Sequence, residues 1–172
     1  MTLKRITKAV IPAAGLGTRL SPLTRHLPKE LLPVGAKPMI QHTVEAYLDS
    51  DIRDLYVIIS PSKHLVRTFL TDGRLPPGLP FRENPTFRSR LNSCNFTFLI
   101  QEQPIGVADA VFLARRFIGS DPFFCILPDC LLFGNEPSPR QLLDAYQRYP
   151  TNVIGTILIR EKDLSRFGNV GL

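Results

Sequence analysis

Three short segments of this 172-residue chain carry residue types whose spacing could do chemistry. The first is Ala13-Ala14-Gly15-Leu16-Gly17-Thr18-Arg19-Leu20, directly after the apolar run Ala9-Val10-Ile11. Small side chains let a backbone approach a ligand closely. Successive free N–H groups can cradle phosphate oxygens, and Arg19 adds a planar donor fork that matches phosphate. The second segment sets Lys29 between Pro28 and Pro33, which fix the path of the loop. A point charge on a stiff loop is what a triphosphate site would use. The third is Asp129, behind the apolar run Phe123-Phe124-Cys125-Ile126-Leu127 and Pro128. A carboxylate at the end of a strand, beside a phosphate loop, is where a hard cation would be wanted.

Each segment alone also has a bland reading. A Gly-X-Gly loop serves equally well as a structural turn, a single lysine as a solvated surface charge, and Asp129 as a turn closer. Two familiar phosphate motifs are excluded. A dinucleotide fingerprint needs a third glycine where Leu20 stands, and an acidic residue where Pro33-Val34-Gly35-Ala36 stands. A Walker loop needs Gly-Lys-Ser/Thr, which is absent.

The elements that must position these residues alternate. Lys8-Ala9-Val10-Ile11 predicts a buried strand, followed by a long loop over residues 13–34. Pro38 is placed at the first position of a helix whose stripe is Ile40, Val44 and Leu48. Leu55-Tyr56-Val57-Ile58-Ile59 predicts a second strand, and Ser60-Pro61-Ser62 caps a helix carrying Leu65, Val66, Phe69 and Leu70. Residues 71–95 hold six prolines and glycines (Gly73, Pro76, Pro77, Gly78, Pro80 and Pro85) and predict a surface excursion with a short helix. Phe96-Thr97-Phe98-Leu99-Ile100 predicts a third strand. Gly106 opens a helix burying Ala110, Val111, Ala114, Phe117 and Ile118. A fourth strand spans residues 123–127, with Cys125 in the core. Ser138-Pro139-Arg140-Gln141 reads as a capping box, and residues 153–159 as a fifth strand. The expected fold is α/β, Rossmann-like: a mainly parallel sheet flanked by helices. Ligands of such sheets bind at the carboxyl ends of the strands, so residues 12–19, 60–62, 101–106 and 128–129 share one rim.

Taken together, the segments closely resemble the signature of the sugar-1-phosphate nucleotidylyltransferases. The resemblance is strongest to the bacterial UTP–glucose-1-phosphate uridylyltransferases. It is carried by Ile11-Pro12-Ala13-Ala14-Gly15-Leu16-Gly17-Thr18-Arg19 and Pro28-Lys29-Glu30-Leu31-Leu32-Pro33, then by Gln101, Gly106-Val107-Ala108-Asp109-Ala110-Val111, Ile126-Leu127-Pro128-Asp129 and, loosely, Arg166-Phe167-Gly168. The resemblance implies that the backbone of Ala13, Ala14 and Gly15 holds a nucleotide, and that Gly17, Thr18, Arg19 and Lys29 contact its phosphates. It implies that Gln101 and Gly106 read the base, which suits an amide that offers a donor and an acceptor together. Without the resemblance Gln101 reads as a solvated strand-end residue. Asp129 corresponds to the aspartate that binds catalytic Mg2+, while Asp109, in a first helical turn, complements the helix dipole. The implied reaction takes a nucleoside triphosphate, UTP first, and a sugar 1-phosphate, glucose 1-phosphate first, to UDP-glucose and pyrophosphate. Arg19, Lys29 and Asp129 are the catalytic candidates. Thymidylyl-, guanylyl- and cytidylyl-transferases share much of the first loop and stay open, as does a silent nucleotide-binding module.

Composition sets the remaining bounds. The chain is 44% hydrophobic and 21% charged, ordinary for a globular protein. One domain over residues 1–172 is expected, the nucleotide-binding portion of a larger C-terminally truncated fold that lacks the sugar-binding part. A sheet edge left uncovered in this way would expose apolar surface. The +6 net charge comes from scattered basic residues without a run of five, so a nucleic-acid partner is not indicated. No apolar run approaches a membrane span, and Lys4, Arg5 and Lys8 before Ala9-Val10-Ile11-Pro12 do not form a signal peptide. Cys94, Cys125 and Cys130 have no metal spacing and read as free thiols in a reducing cytoplasm. A homo-oligomer is allowed by the sequence and not required by it.

Overall fold

Ala9 and Ile11 pack into one apolar cluster and Val10 into another, so the first strand is buried on both sides. The next strand divides in the same way: Leu55, Val57 and Ile59 join the first cluster, Tyr56 and Ile58 the second. Period-two alternation between two apolar faces is what a central strand of a covered parallel sheet requires. The computed structural model describes residues 3–79, 81 and 84–162. The elements run β1 (Lys8–Pro12), β2 (Pro33–Val34), β3 (Lys37–Pro38), α1 (Met39–Leu48), β4 (Asp54–Ile59), α2 (His64–Asp72), α3 (Pro85–Leu91), β5 (Asn95–Ile100), α4 (Val107–Leu113), α5 (Arg115–Ile118), β6 (Phe123–Cys125) and α6 (Ser138–Arg148). Three 3-10 turns, Thr18–Leu20, Leu23–Arg25 and Lys29–Leu31, shape the long loop after β1.

The main sheet has the order β5-β4-β1-β6, and its three pairings are all parallel. Helices α1, α2 and α3 supply the cluster on one face, through Val44, Val66, Phe69, Phe87 and their neighbours. Ala110, Ala114 and Ile118 of the α4–α5 segment cover the other. From β1 the chain moves outward through β4 to β5, then returns to place β6 on the opposite side of β1. The strand order therefore reverses between β1 and β6, and the crevice at that switch point is where open α/β sheets take ligands.

Several local expectations are corrected. Pro38 is the N-cap of α1, not its first helical residue; its ψ of 144° is extended because it pairs with Pro33 in the small β2–β3 hairpin. The serines at 60 and 62 do not cap α2. They bond each other at 3.1 Å, and Lys63 is the N-cap. The box at residue 138 does not close either: Pro137 is the N-cap, and Gln141 donates instead to the Glu136 carbonyl. The helix after Gly106 breaks into α4 and α5 at Ala114, leaving Val111 and Phe117 only half-buried. Strand β6 ends at Cys125, which is exposed rather than in the core.

The largest correction concerns residues 153–159, which form no strand. A strand needs a ladder partner, and no described strand pairs with this segment. Ile154, Ile157 and Leu158 are 74%, 63% and 100% exposed. The outer edge of β6 is also without a partner strand among the described residues. The match at Arg166-Phe167-Gly168 lies outside the described residues.

Candidate functional site

The glycine loop begins as a continuation of the sheet. The Ala13 N–H donates to the Ile58 carbonyl at 2.7 Å, one step past the β1–β4 ladder. Ala13 and Ala14 are buried there, and any larger side chain would displace the apolar packing around them. Gly15 then emerges into the open: a Cβ on it would meet nothing within 4 Å. Gly17 adopts φ +68°, in the left-handed region, and its carbonyl accepts from Thr24 Oγ1 at 3.0 Å. Thr18 and Arg19 follow in an exposed 3-10 turn, and Arg19 makes no side-chain hydrogen bond or ion pair among the described residues.

Lys63 fixes the curve of this loop. Its Nζ lies 2.7 Å from the Ala13 carbonyl, 2.5 Å from the Gly15 carbonyl and 2.8 Å from both carboxylate oxygens of Glu30. The pair is sealed, with side chains 6% and 0% exposed. Burial pushes the Glu30 carboxyl up and the Lys63 ammonium down, against their mutual attraction, because each charge has lost its water. The pair persists because the ammonium meets two backbone carbonyls besides the carboxylate, and both carboxylate oxygens accept from it. With the Ala13 and Gly15 carbonyls bound to Lys63 and the Ala13 N–H to Ile58, the N–H groups of Ala14 and Gly15 donate to no backbone carbonyl among the described residues.

Glu30 is followed back by one residue to Lys29, and here the two loops meet. A Cβ on Gly17 would sit 3.3 Å from Cβ and Cδ of Lys29 and 3.2 Å from Thr24 Cγ2. The Lys29 stem thus lies against bare glycine backbone. Its Nζ reaches Asp129 Oδ2 at 2.5 Å. Asp129 stands in a turn closed by the Cys130 N–H on the Leu127 carbonyl at 2.9 Å, so the turn-closing role and the projecting carboxylate coexist. Gly15, Gly17, Lys29 and Asp129 are joined in one continuous set of contacts at the β1–β6 switch point.

Gln101 and Gly106 occupy the same rim at the far strand. The Gln101 N–H donates to the Ile59 carbonyl at 2.9 Å, extending the β4–β5 ladder. Its side chain reaches the Gly106 carbonyl and, at 2.8 Å, the carboxylate of Asp109. Asp109 therefore does more than face a helix end.

A family model described as nucleotidyl transferase matches residues 8–172. The chain belongs to the nucleotidyl transferase family. It is 36% identical over 170 residues to the UTP–glucose-1-phosphate uridylyltransferase YngB of Bacillus subtilis, covering 96% of this chain and 57% of that one. To the UTP–glucose-1-phosphate uridylyltransferase of Mycoplasma pneumoniae it is 35% identical over 173 residues, covering 98% and 60%. Among solved structures, a UDP-glucose pyrophosphorylase complexed with UDP-glucose superposes with a TM-score of 0.72 at 28% identity, over 85% of this chain and 55% of that one. The chain thus spans somewhat over half the length of the relatives it matches.

Two concavities lie elsewhere on the molecule. One of about 840 Å³ sits between α1 and the loop before α6, lined by His42, Glu45 and Phe133. The other, about 990 Å³, runs along the free edge of β6 past Phe123 and Tyr146. Neither is lined by Gly15, Arg19 or Lys29. No group of three metal-binding side chains gathers among the described residues. No helix among them is long and apolar enough to cross a membrane. The sequence singled out neither Lys63 nor Asp109 as site-building residues. The sequence signals for the pair are weak: Lys63 is a lysine in a strand-to-helix turn, and Glu30 is a carboxylate beside the apolar run Leu31-Leu32.

Proposed function

We propose that this chain binds a nucleoside triphosphate, UTP first, and uses it in nucleotidyl transfer to a sugar 1-phosphate, glucose 1-phosphate first. In that reaction a phosphate oxygen of the sugar phosphate attacks the α-phosphorus. The bond from the α-phosphorus to the bridging oxygen breaks, and pyrophosphate leaves with the bond pair. The observation that carries the reading is the contact of Lys29 with Asp129, set against Gly17 at the sheet's switch point.

Each residue has a stated task. The N–H groups of Ala14 and Gly15 hold the nucleotide beside Ala13, whose own N–H is committed to the Ile58 carbonyl, and the loop from Gly17 through Thr18 and Arg19 grips the phosphates. Arg19 and Lys29 neutralise charge on the triphosphate as it develops on the leaving group. Asp129 fits Mg2+, because that ion takes one or two carboxylates and completes its octahedron with phosphates and water. When bound, the ion would screen the α-phosphate and the incoming phosphate from one another. Gln101 and Gly106 face the base. The three cysteines, free among the described residues, support a reducing compartment such as the cytoplasm.

The test is incubation with UTP, glucose 1-phosphate and magnesium. Pyrophosphate release abolished by Asp129→Asn supports the full reading. UTP binding without release reduces the chain to a nucleotide-binding module. Neither binding nor release from folded protein refutes it.

A further inference from the structure

The side-chain amide of Gln101 has only one polarity available. Nε2 donates to Asp109 Oδ2 at 2.8 Å and to the Gly106 carbonyl at 3.1 Å. A carbonyl and an ionised carboxylate can only accept, so the nitrogen must face them and Oε1 must face away. Gln101 is 4% exposed, yet Oε1 accepts no bond among the described residues and is not one of the sealed, unpaired polar atoms. It is the part of the side chain that opens onto the rim. Beside it, the backbone N–H of exposed Gly106 donates to none of the described residues.

We propose that Asp109 is a specificity-determining positioning residue: it locks the Gln101 amide with its oxygen outward, so that the site accepts uracil or thymine and rejects cytosine. The inference rests on the nucleotide reading above. Uracil and thymine carry one free ring N–H, at N3, flanked by two carbonyl oxygens. An outward Oε1 accepts from N3–H while the Gly106 N–H donates to a neighbouring carbonyl. Cytosine presents a bare lone pair at N3, which would face Oε1 with no proton between them. An untethered glutamine could rotate its amide by half a turn and satisfy cytosine. Here that rotation would bring Oε1 against the Asp109 carboxylate and the Gly106 carbonyl, leaving acceptors opposed in a buried place. Rejection thus comes from a built-in clash, as selective sites commonly use. A role confined to the dipole of the seven-residue α4 would leave base choice untouched.

The experiment measures dissociation constants for UTP and CTP, with magnesium, on the full chain and on Asp109→Asn. Asparagine can present either an N–H or an oxygen, so a turned Gln101 would oppose only the Gly106 carbonyl. The CTP-to-UTP ratio is expected to fall about tenfold, the loss of one opposed acceptor pair. A loosened fold would weaken both ligands and leave the ratio alone. An unchanged ratio in folded Asp109→Asn overturns the inference. A second measurement needs no variant: UTP methylated at N3 should bind the wild-type chain at least about tenfold more weakly than UTP, and equal binding overturns the inference. A wild-type chain that binds no nucleotide at all instead overturns the reading on which it rests.

Discussion

Lys29 Nζ lies 2.5 Å from Asp129 Oδ2, a contact that spans one hundred residues of sequence and bridges the point where the strand order reverses. The two side chains are 16% and 43% exposed, so the pair is partly solvated and is worth about 1 kcal/mol at most to the fold. Its charges are better placed to meet a polyphosphate and its cation than to hold the protein together. Lys29→Met is therefore expected to weaken UTP binding about tenfold or more, the loss of a charge-assisted contact, with little change in melting temperature. Calorimetric titration beside a thermal melt checks both. A large loss of stability with unchanged binding would reverse the assignment.

Lys63 and Glu30 separate differently. Removing one partner of a sealed ion pair strands a buried charge, so Lys63→Met should cost about 3–5 kcal/mol of stability. Adding Glu30→Leu removes the stranded carboxylate and should restore much of that loss. Nucleotide affinity should not return, because the carbonyls of Ala13 and Gly15 have still lost the ammonium that turns them inward. Urea unfolding and UTP titration on the two single variants and the double variant read the two effects apart. Affinity recovering together with stability would make the pair merely structural.

The two glycines of the loop make a contrasting test. Gly17→Ala forces a side chain into φ +68° and within 3.3 Å of Thr24 and Lys29, at a cost of about 1–3 kcal/mol. Gly15→Ala meets no neighbour and should leave stability within about 0.5 kcal/mol, yet its methyl would stand where a nucleotide approaches. Loss of UTP binding by Gly15→Ala at unchanged stability is the expected result. Full binding by that variant would place the ligand elsewhere.

At the other end of the β1–β6 seam, Asp121 accepts from Lys8 and Lys4 at 2.8 and 2.9 Å. The Lys8 and Lys4 hydrogen bonds hold its carboxyl down from 3.8 to about 2. A depressed carboxyl contributes stability above its unfolded value and loses it as pH falls through its folded one. The contribution should therefore be complete above pH 3.8 and disappear toward pH 2. Asp121→Asn should narrow the stability gap to wild type over that window and show a flatter acid limb, read as denaturant midpoints against pH.

The rim was legible in the sequence where a motif constrains local backbone. Ala13 through Arg19, Lys29 and Asp129 lie in loops whose glycines and prolines announce themselves, and the strands under them are short apolar runs. What stayed hidden depends on partners distant in sequence. Lys63 reads as an ordinary turn lysine until the fold brings Glu30 and two carbonyls around its ammonium. Asp109 reads as a helix-end charge until β5 delivers Gln101. Residues 153–159 are as apolar as the true strands, but composition does not supply a ladder, and none of the described strands pairs with them. Side-chain caps at residues 60 and 138 failed for a related reason: a good capping residue is a local preference, and the chain entered each helix by a different path.

The most direct measurement is titration of UTP with magnesium into the folded 172-residue chain, followed by the same titration into a chain with both Arg19→Ala and Lys29→Ala. Saturable one-to-one binding by the first, with a rise in melting temperature from the bound ligand, and its loss in the second is the predicted result. Equal binding by both chains, or none by the folded wild type, would contradict a phosphate site built between β1 and β6.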